Sequence, residues 1–299
     1  MGDYGAARTA YEQSLVIDQE LGDERGEAVT LGQLGTLALF EGNLTEAEQR
    51  YQVALRRFQQ LSEPENEAVF WHQLGRVYQE AKQWAEADQS YRESARIKES
   101  QGNLAGAART WGQLASLNQL AGNLDSAEAW YCKAIQGFET AGDRLSQSVV
   151  LSNLADLLQQ FRDRLPEARQ AAEDSLAIKQ TLDPNTAAVW TTYQILAEIT
   201  AQQGETATVQ NYRRLMRQSY LAAPVCRHDL QQFAPMIEAI VDNWQDPEPV
   251  LAYLTENGWS ELAQALARFQ AGERNEDQLY QNLDYKQSAI LHTVLSRLG

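Results

Sequence analysis

From Trp71 to Tyr91, WHQLGRVYQEAKQWAEADQSY, apolar and polar residues follow a helical period on both sides of a turn. Trp71, Leu74, Gly75 and Tyr78 share one face, and Ala87 and Tyr91 recur four apart after the turn. Gly75 and Ala87 are small, so two helix backbones can approach closely where they meet, with Trp71, Tyr78, Trp84 and Tyr91 filling the space around them. The pattern returns along the chain: Ala7, Ala47, Ala87, Ala127, Ala168 and Val209 stand 40, 40, 40, 41 and 41 residues apart. Tyr11, Tyr51, Tyr91 and Tyr131 follow the first four of these, and Leu34-Gly35, Leu74-Gly75, Leu114-Ala115, Leu154-Ala155 and Leu196-Ala197 occupy the matching place in the preceding helix. Gly42, Gly122 and Gly204 fall at the turn between the helices, where glycine enters the left-handed conformation at little cost.

This periodicity predicts first helices near 27–41, 66–81, 105–121, 146–161 and 186–203, and second helices near 44–60, 84–100, 124–140, 166–181 and 205–220. Between pairs, Leu21-Gly22-Asp23, Gln101-Gly102-Asn103, Ala141-Gly142-Asp143 and Asp183-Pro184-Asn185 combine a helix stop with a residue able to cap the next helix. The fifth pair is the most degenerate, with Val209 for the alanine and Arg213 for the tyrosine. After Tyr220 the period stops, and shorter helices are predicted near 227–243, 247–256, 259–270, 275–282 and 284–297, with amphipathic stripes through Leu262, Leu266 and Phe269 and through Ile290, Leu291, Val294 and Leu295.

Trp71-x2-Leu74-Gly75-x2-Tyr78 followed by Ala87-x3-Tyr91 resembles the tetratricopeptide repeat (TPR). That family's unit is usually about 34 residues long. The longer period here resembles the kinesin-light-chain and bacterial peptide-sensor types, whose helices are longer. The resemblance implies an all-α fold, a right-handed α-solenoid of TPR helix pairs at residues 1–220, closed by a C-terminal helical cap at 221–299. Gly2-Asp3-Tyr4 aligns with the turn inside a repeat, so the first helix of that pair is missing: a fragment of a longer protein is expected, the alternative being a half-repeat that caps the stack. Similar arrays occur in bacterial signalling proteins beside NTPase switch or caspase-like domains, and neither kind of domain is evident in this sequence.

The 41 acidic against 25 basic residues, net −16, argue against binding to nucleic acid or to an anionic membrane. No apolar run approaches the roughly 20 residues that span a bilayer, and a cytoplasmic location is expected. Cys132 and Cys226 lack metal-ligand spacing and are expected to be ordinary buried thiols. No phosphate loop, His-Glu-x-x-His or Gly-x-Ser-x-Gly motif is present, and the three histidines are His72, His228 and His292. Cys226 and His228, two apart, would face different ways on a helix. No enzyme activity, cofactor or metal is expected.

A repeat array offers a surface instead. By resemblance to peptide-binding members, the first helices line a concave groove whose candidate residues are Thr36, His72, Arg76, Gln79, Arg109, Ser116, Asp156, Gln194 and Glu198. Just before the anchor leucine stand Gln33, Gln73, Gln113 and Asn153, an amide ladder. In the kinesin-light-chain-like and peptide-sensor arrays an asparagine at this place bonds the backbone of an extended peptide, and an amide supplies both the donor and the acceptor this needs. The alternative role is bridging between neighbouring helices. His72, Arg76 and Arg109 lie early and Asp156 and Glu198 late, so the groove is expected to be basic towards one end and acidic towards the other. The expected function is a non-catalytic module that binds a protein or peptide, as a scaffold or sensor. Two alternatives are a stand-alone peptide-responsive regulator and a self-assembly element stacking end to end through Tyr4, Tyr11 and Leu15 of the N-terminal half-repeat.

Overall fold

A computed structural model describes residues 4–298, apart from the side chains of Pro184 and Asn185. Gly2 and Asp3 lie outside the described residues. The chain is all-α, with no strand among the described residues, and it divides into two compact units, residues 1–150 and 151–299.

The first unit is built from α1 (Tyr4–Leu21), α2 (Glu24–Phe40), α3 (Leu44–Gln60), α4 (Pro64–Glu80), α5 (Trp84–Ser100), α6 (Leu104–Leu120) and α7 (Leu124–Ala141), each packed on the next in sequence. Helices α2 to α6 are all 17 residues long, so the extra length of the repeat lies in the helices and not in the connections. The connections are short because a left-handed residue recurs every 20 residues, at 22, 42, 62, 82, 102, 122 and 142. It is glycine at all of these except Ser62 and Lys82, whose φ values are +55° and +58°. The next residue starts the following helix: Asp23, Asn43, Asn103 and Asp143 accept from the amides of Gly26, Glu46, Gly106 and Ser146 at 2.9, 3.2, 2.9 and 3.0 Å.

Within each pair the expected close packing is present. Tyr51 and Tyr91 are fully buried over Gly35 and Gly75, where an added Cβ would come within 2.9 and 2.6 Å of the tyrosine rings. Tyr131 lies buried in the third pair, whose matching residue is Ala115. The hydroxyls are anchored too: Tyr51 to Thr36 (2.9 Å), Tyr91 to Gln79 (3.1 Å) and Tyr131 to Gln119 (2.9 Å).

The joints between one pair and the next alternate in chemistry. Asp18 accepts from Thr30 at 2.8 Å, and Lys98 donates to Thr110 at 2.9 Å. Between these two, at the same repeat positions, Phe58 stacks on Phe70 with ring centroids 5.3 Å apart. Phe138 and Val150 hold the corresponding places at the next joint, and both are buried.

Helix α8 (Arg144–Leu158) runs across the division between the units. The second unit contains its later part, α9 (Leu165–Lys179), α10 (Pro184–Ala187), α11 (Val189–Gln202), α12 (Thr206–Ala222), α13 (Pro224–Gln232), α14 (Ala234–Asp242), α15 (Glu248–Glu256), α16 (Ser260–Gln270), α17 (Glu276–Leu279) and α18 (Tyr285–Leu298). Two predicted helices are broken. The one expected at 186–203 is split by Ala188, which has a left-handed φ of +45°. The one expected at 227–243 is split at Phe233, two residues before Pro235, which has no amide hydrogen to continue the ladder. The final helices share a core of Ile237, Ile240, Leu254, Leu262, Leu266, Ile290, Leu291 and Val294. They pack on the last repeat pair through a second cluster that contains Trp190, Met216, Tyr220, Cys226 and Ala289.

Candidate functional site

The candidate residues divide between the two units. Gln33, Thr36, His72, Gln73, Arg76, Gln79, Arg109, Gln113 and Ser116 belong to the first, on α2, α4 and α6, while Asn153, Asp156, Gln194 and Glu198 belong to the second.

In the first unit, Gln33 and Arg109 are exposed and the other seven are half-buried. Thr36 and Gln79 are committed to the tyrosine hydroxyls described above, which turns them towards their own pair. The amide ladder behaves differently. Gln73 accepts from Arg76 of its own helix at 3.1 Å, and the side chains of Gln33 and Gln113 make no hydrogen bond to any described residue. None of the three bridges neighbouring helices.

His72 is the centre of a cationic corner. Its ring packs edge-on to Tyr91 at 5.3 Å, and its Nδ1 lies 3.4 Å from the Thr110 hydroxyl on α6. Burial, together with the charges of Lys98, Arg76 and Arg109, depresses its pKa to about 3, so the imidazole is neutral throughout the physiological range. Lys98, delivered by α5, is itself lowered to about 8 by burial and by Arg109. No described carboxylate forms an ion pair with Arg76, Lys98 or Arg109, in a chain of net charge −16. Lys98 was not among the sequence candidates because it lies on a second helix. Its signal was a lysine at the position that is phenylalanine at 58 and 138.

In the second unit Asn153, Asp156 and Glu198 are exposed and Gln194 is half-buried. Gln159 donates to Asp156 at 2.8 Å and Gln194 to Glu198 at 3.0 Å. Lys179 is only 3% exposed, and its ammonium donates to the Thr192 hydroxyl at 2.8 Å, with Thr191 and Ser152 at 3.3 and 3.5 Å. Burial lowers its pKa to about 8.

The chemistry weighed from sequence is dispersed. Cys226 is buried in the second-unit core with its thiol pushed up by burial and by Asp229, whereas His228 is exposed beside Gln232 at 3.0 Å. Cys132 is exposed, contrary to the expectation of two buried thiols, because the outer face of α7 carries it. Among the described residues no group of three metal-ligating side chains converges, and no helix is long and apolar enough to cross a membrane. On α1, Tyr4 stacks on Phe40 with centroids 6.5 Å apart, and Leu15 packs on the first core. Besides Tyr4, the large apolar side chains that α1 turns to solvent are Val16, Ile17 and Leu21, at 53, 54 and 76% exposure.

No curated protein matches the chain. Among solved structures, BtubC (BKLC) from P. vanneervenii is similar at 20% identity, with 74% of this chain and 92% of that one covered and a TM-score of 0.64. Aspartyl phosphate phosphatase F from Bacillus subtilis is similar at 14% identity, covering 95% and 75%, with a TM-score of 0.62. The Rap conjugation gene regulator of plasmid pLS20, solved with the Phr* peptide, is similar at 14% identity, covering 94% and 79%, with a TM-score of 0.52. These likenesses concern the fold. The tetratricopeptide-repeat family model matches residues 1–60, 66–140 and 106–181, more than half of the chain, in agreement with the paired helices and the tyrosine-over-glycine packing: the chain belongs to the tetratricopeptide-repeat family.

Proposed function

We propose that the chain is a non-catalytic binding module that takes an extended protein segment on the α2–α4–α6 face, with residues 221–299 acting as the cap of the array 1–220. The reading rests on Gln33 and Gln113, whose amides make no hydrogen bond to a described residue, and on Arg76 and Arg109, which have no carboxylate partner among the described residues. Amides at one position per repeat suit the regularly spaced donors and acceptors of an extended backbone. The cationic corner adds a preference for a segment with acidic side chains. A peptide-bound Rap regulator among the similar folds supports the reading.

The test starts from a displayed library of random peptides selected on the whole chain, with affinities then measured by fluorescence anisotropy. Acidic sequences are expected to be enriched. Arg76→Ala with Arg109→Ala should weaken them about tenfold and flatten the salt dependence, and Gln33→Ala, Gln73→Ala and Gln113→Ala together should weaken them by a similar factor. Unchanged affinity in both variants would overturn the assignment.

A second reading, self-assembly through α1, is favoured by its exposed Val16, Ile17 and Leu21. It requires a mass that rises with concentration and that Val16→Glu with Ile17→Lys returns to the monomer.

A further inference from the structure

In the fifth pair the repeat tyrosine is replaced by Arg213, and the consequence lies entirely within the second unit. Tyr51 and Tyr91 fill the space above a small residue, and Arg213 stands in that place in the fifth pair. Two cavities, of about 440 and 260 Å³, share Arg213 and Asn282 in their lining. The larger falls within the range of small-molecule sites, about 300–1,000 Å³. Helices α11 and α12 form one wall, and the segment from Asn275 to Asp284 forms the other.

Arg213 is half-buried, yet its guanidinium makes no hydrogen bond or ion pair with any described residue. Glu198, on the neighbouring helix, acts on it only through space, and its carboxylate is occupied by Gln194 at 3.0 Å. A planar fork of five donors held in a cavity without an acceptor is matched by a carboxylate, which it can hold through two parallel bonds. Around it the larger cavity is rich in amides, with Gln210, Gln278 and Gln281 able to donate or accept. Asp277 lines the larger cavity, and Glu198 and Asp284 line the smaller one. A phosphate dianion would meet these carboxylates unfavourably, whereas an ammonium group would be drawn to them. Asn282, which lines both cavities, adopts a left-handed φ of +66°, a conformation that asparagine tolerates.

The geometry points to a binding site for a small zwitterion, a free α-amino acid or a di- or tripeptide, whose carboxylate is held by Arg213 and whose ammonium faces the Glu198, Asp277 and Asp284 side. It is a separate site from the α2–α4–α6 face and does not depend on it.

The test is calorimetric titration of the full chain with the free amino acids and with Ala-Ala and Ala-Ala-Ala, each compared with its C-terminal amide and its N-acetyl form. At least one zwitterion is expected to bind with a Kd of about 1 mM or tighter, and amidation or acetylation should weaken it about tenfold. Arg213→Gln should weaken it by a similar factor. Arg213→Tyr, which restores the residue of the regular pairs, should abolish binding while the chain keeps its helicity. Arg76→Ala with Arg109→Ala should leave it unchanged. Binding of amino acids but not peptides, or the reverse, identifies the source. Absence of binding by every zwitterion, amides binding as well as acids, or Arg213 variants binding like the wild type would each overturn the assignment.

Discussion

In the first unit every described pair sets a tyrosine over a glycine or alanine, whereas in the second the same place is held by Ala172 and Arg213. The helices follow suit: α2 to α6 keep a constant 17 residues, while α11 is cut to 14 by the left-handed Ala188, and α13 and α14 have nine residues each. Regularity yields a face, on which one side chain per repeat is presented in register. In the fifth pair the missing ring coincides with the two cavities that Arg213 lines. The two proposed sites would thus arise by different routes, one by repetition and one by omission.

The largest effect that would break this contrast comes from filling the tight contact. Gly75→Val should destabilise the first unit by about 3 kcal/mol, because Tyr91 is fully buried and cannot swing away from the added methyls. Ala197→Val, at the matching place beside the Arg213 cavity, should cost about 1 kcal/mol or less, since open volume adjoins it. Hydrogen exchange of α4 and α11 measures each loss locally, and equal losses would erase the distinction.

Next is the buried lysine of the second unit. The Lys179 pKa is lowered from 10.5 to about 8 in the fold, so between these values the unfolded chain holds the extra proton. Stability therefore rises with pH across that window, and below it the charged form bears the full cost of burial. Lys179→Met should stabilise the second unit by about 1–3 kcal/mol at pH 7 and remove its share of the slope. A denaturant series from pH 7 to pH 11 checks both, and an unchanged slope would show that Lys179 is not the titrating group.

The smallest effect concerns the turns. Ser62→Gly and Lys82→Gly should each stabilise the first unit by about 0.5–1 kcal/mol, because both residues hold a left-handed conformation that glycine adopts freely. Ala188→Gly should do the same for the second unit, where φ is +45°. The midpoint of urea unfolding reads the change, and a loss of stability would mean that the side chains contribute contacts outweighing the strain.

Much of the fold was legible in the sequence because its determinants are local and repeated. The Leu-Gly anchors, the tyrosines four after the alanines, and the Asp and Asn caps each lie within a few residues of what they organise. The break at Ala188 left no such trace, since alanine is the best helix former, while that at Phe233 had a trace in Pro235. The groove candidates were identified by position, but position could not separate Thr36 and Gln79, which anchor buried tyrosines, from Gln33 and Gln113, which remain open. Lys98 and Arg213 were harder still. Each acts beside residues brought close only by packing, and each registers in the sequence merely as a departure from the repeat.

The alternating joints give the array a parity. Excising a single unit, residues 64–103, would set Phe58 opposite Thr110, an aromatic ring against a hydroxyl whose lysine partner has gone. Excising two, residues 64–143, would set Phe58 opposite Val150 and restore like to like. The module that can be copied, removed or grafted in this unit without rewriting its seams is thus the 80-residue double repeat and not the 40-residue single one.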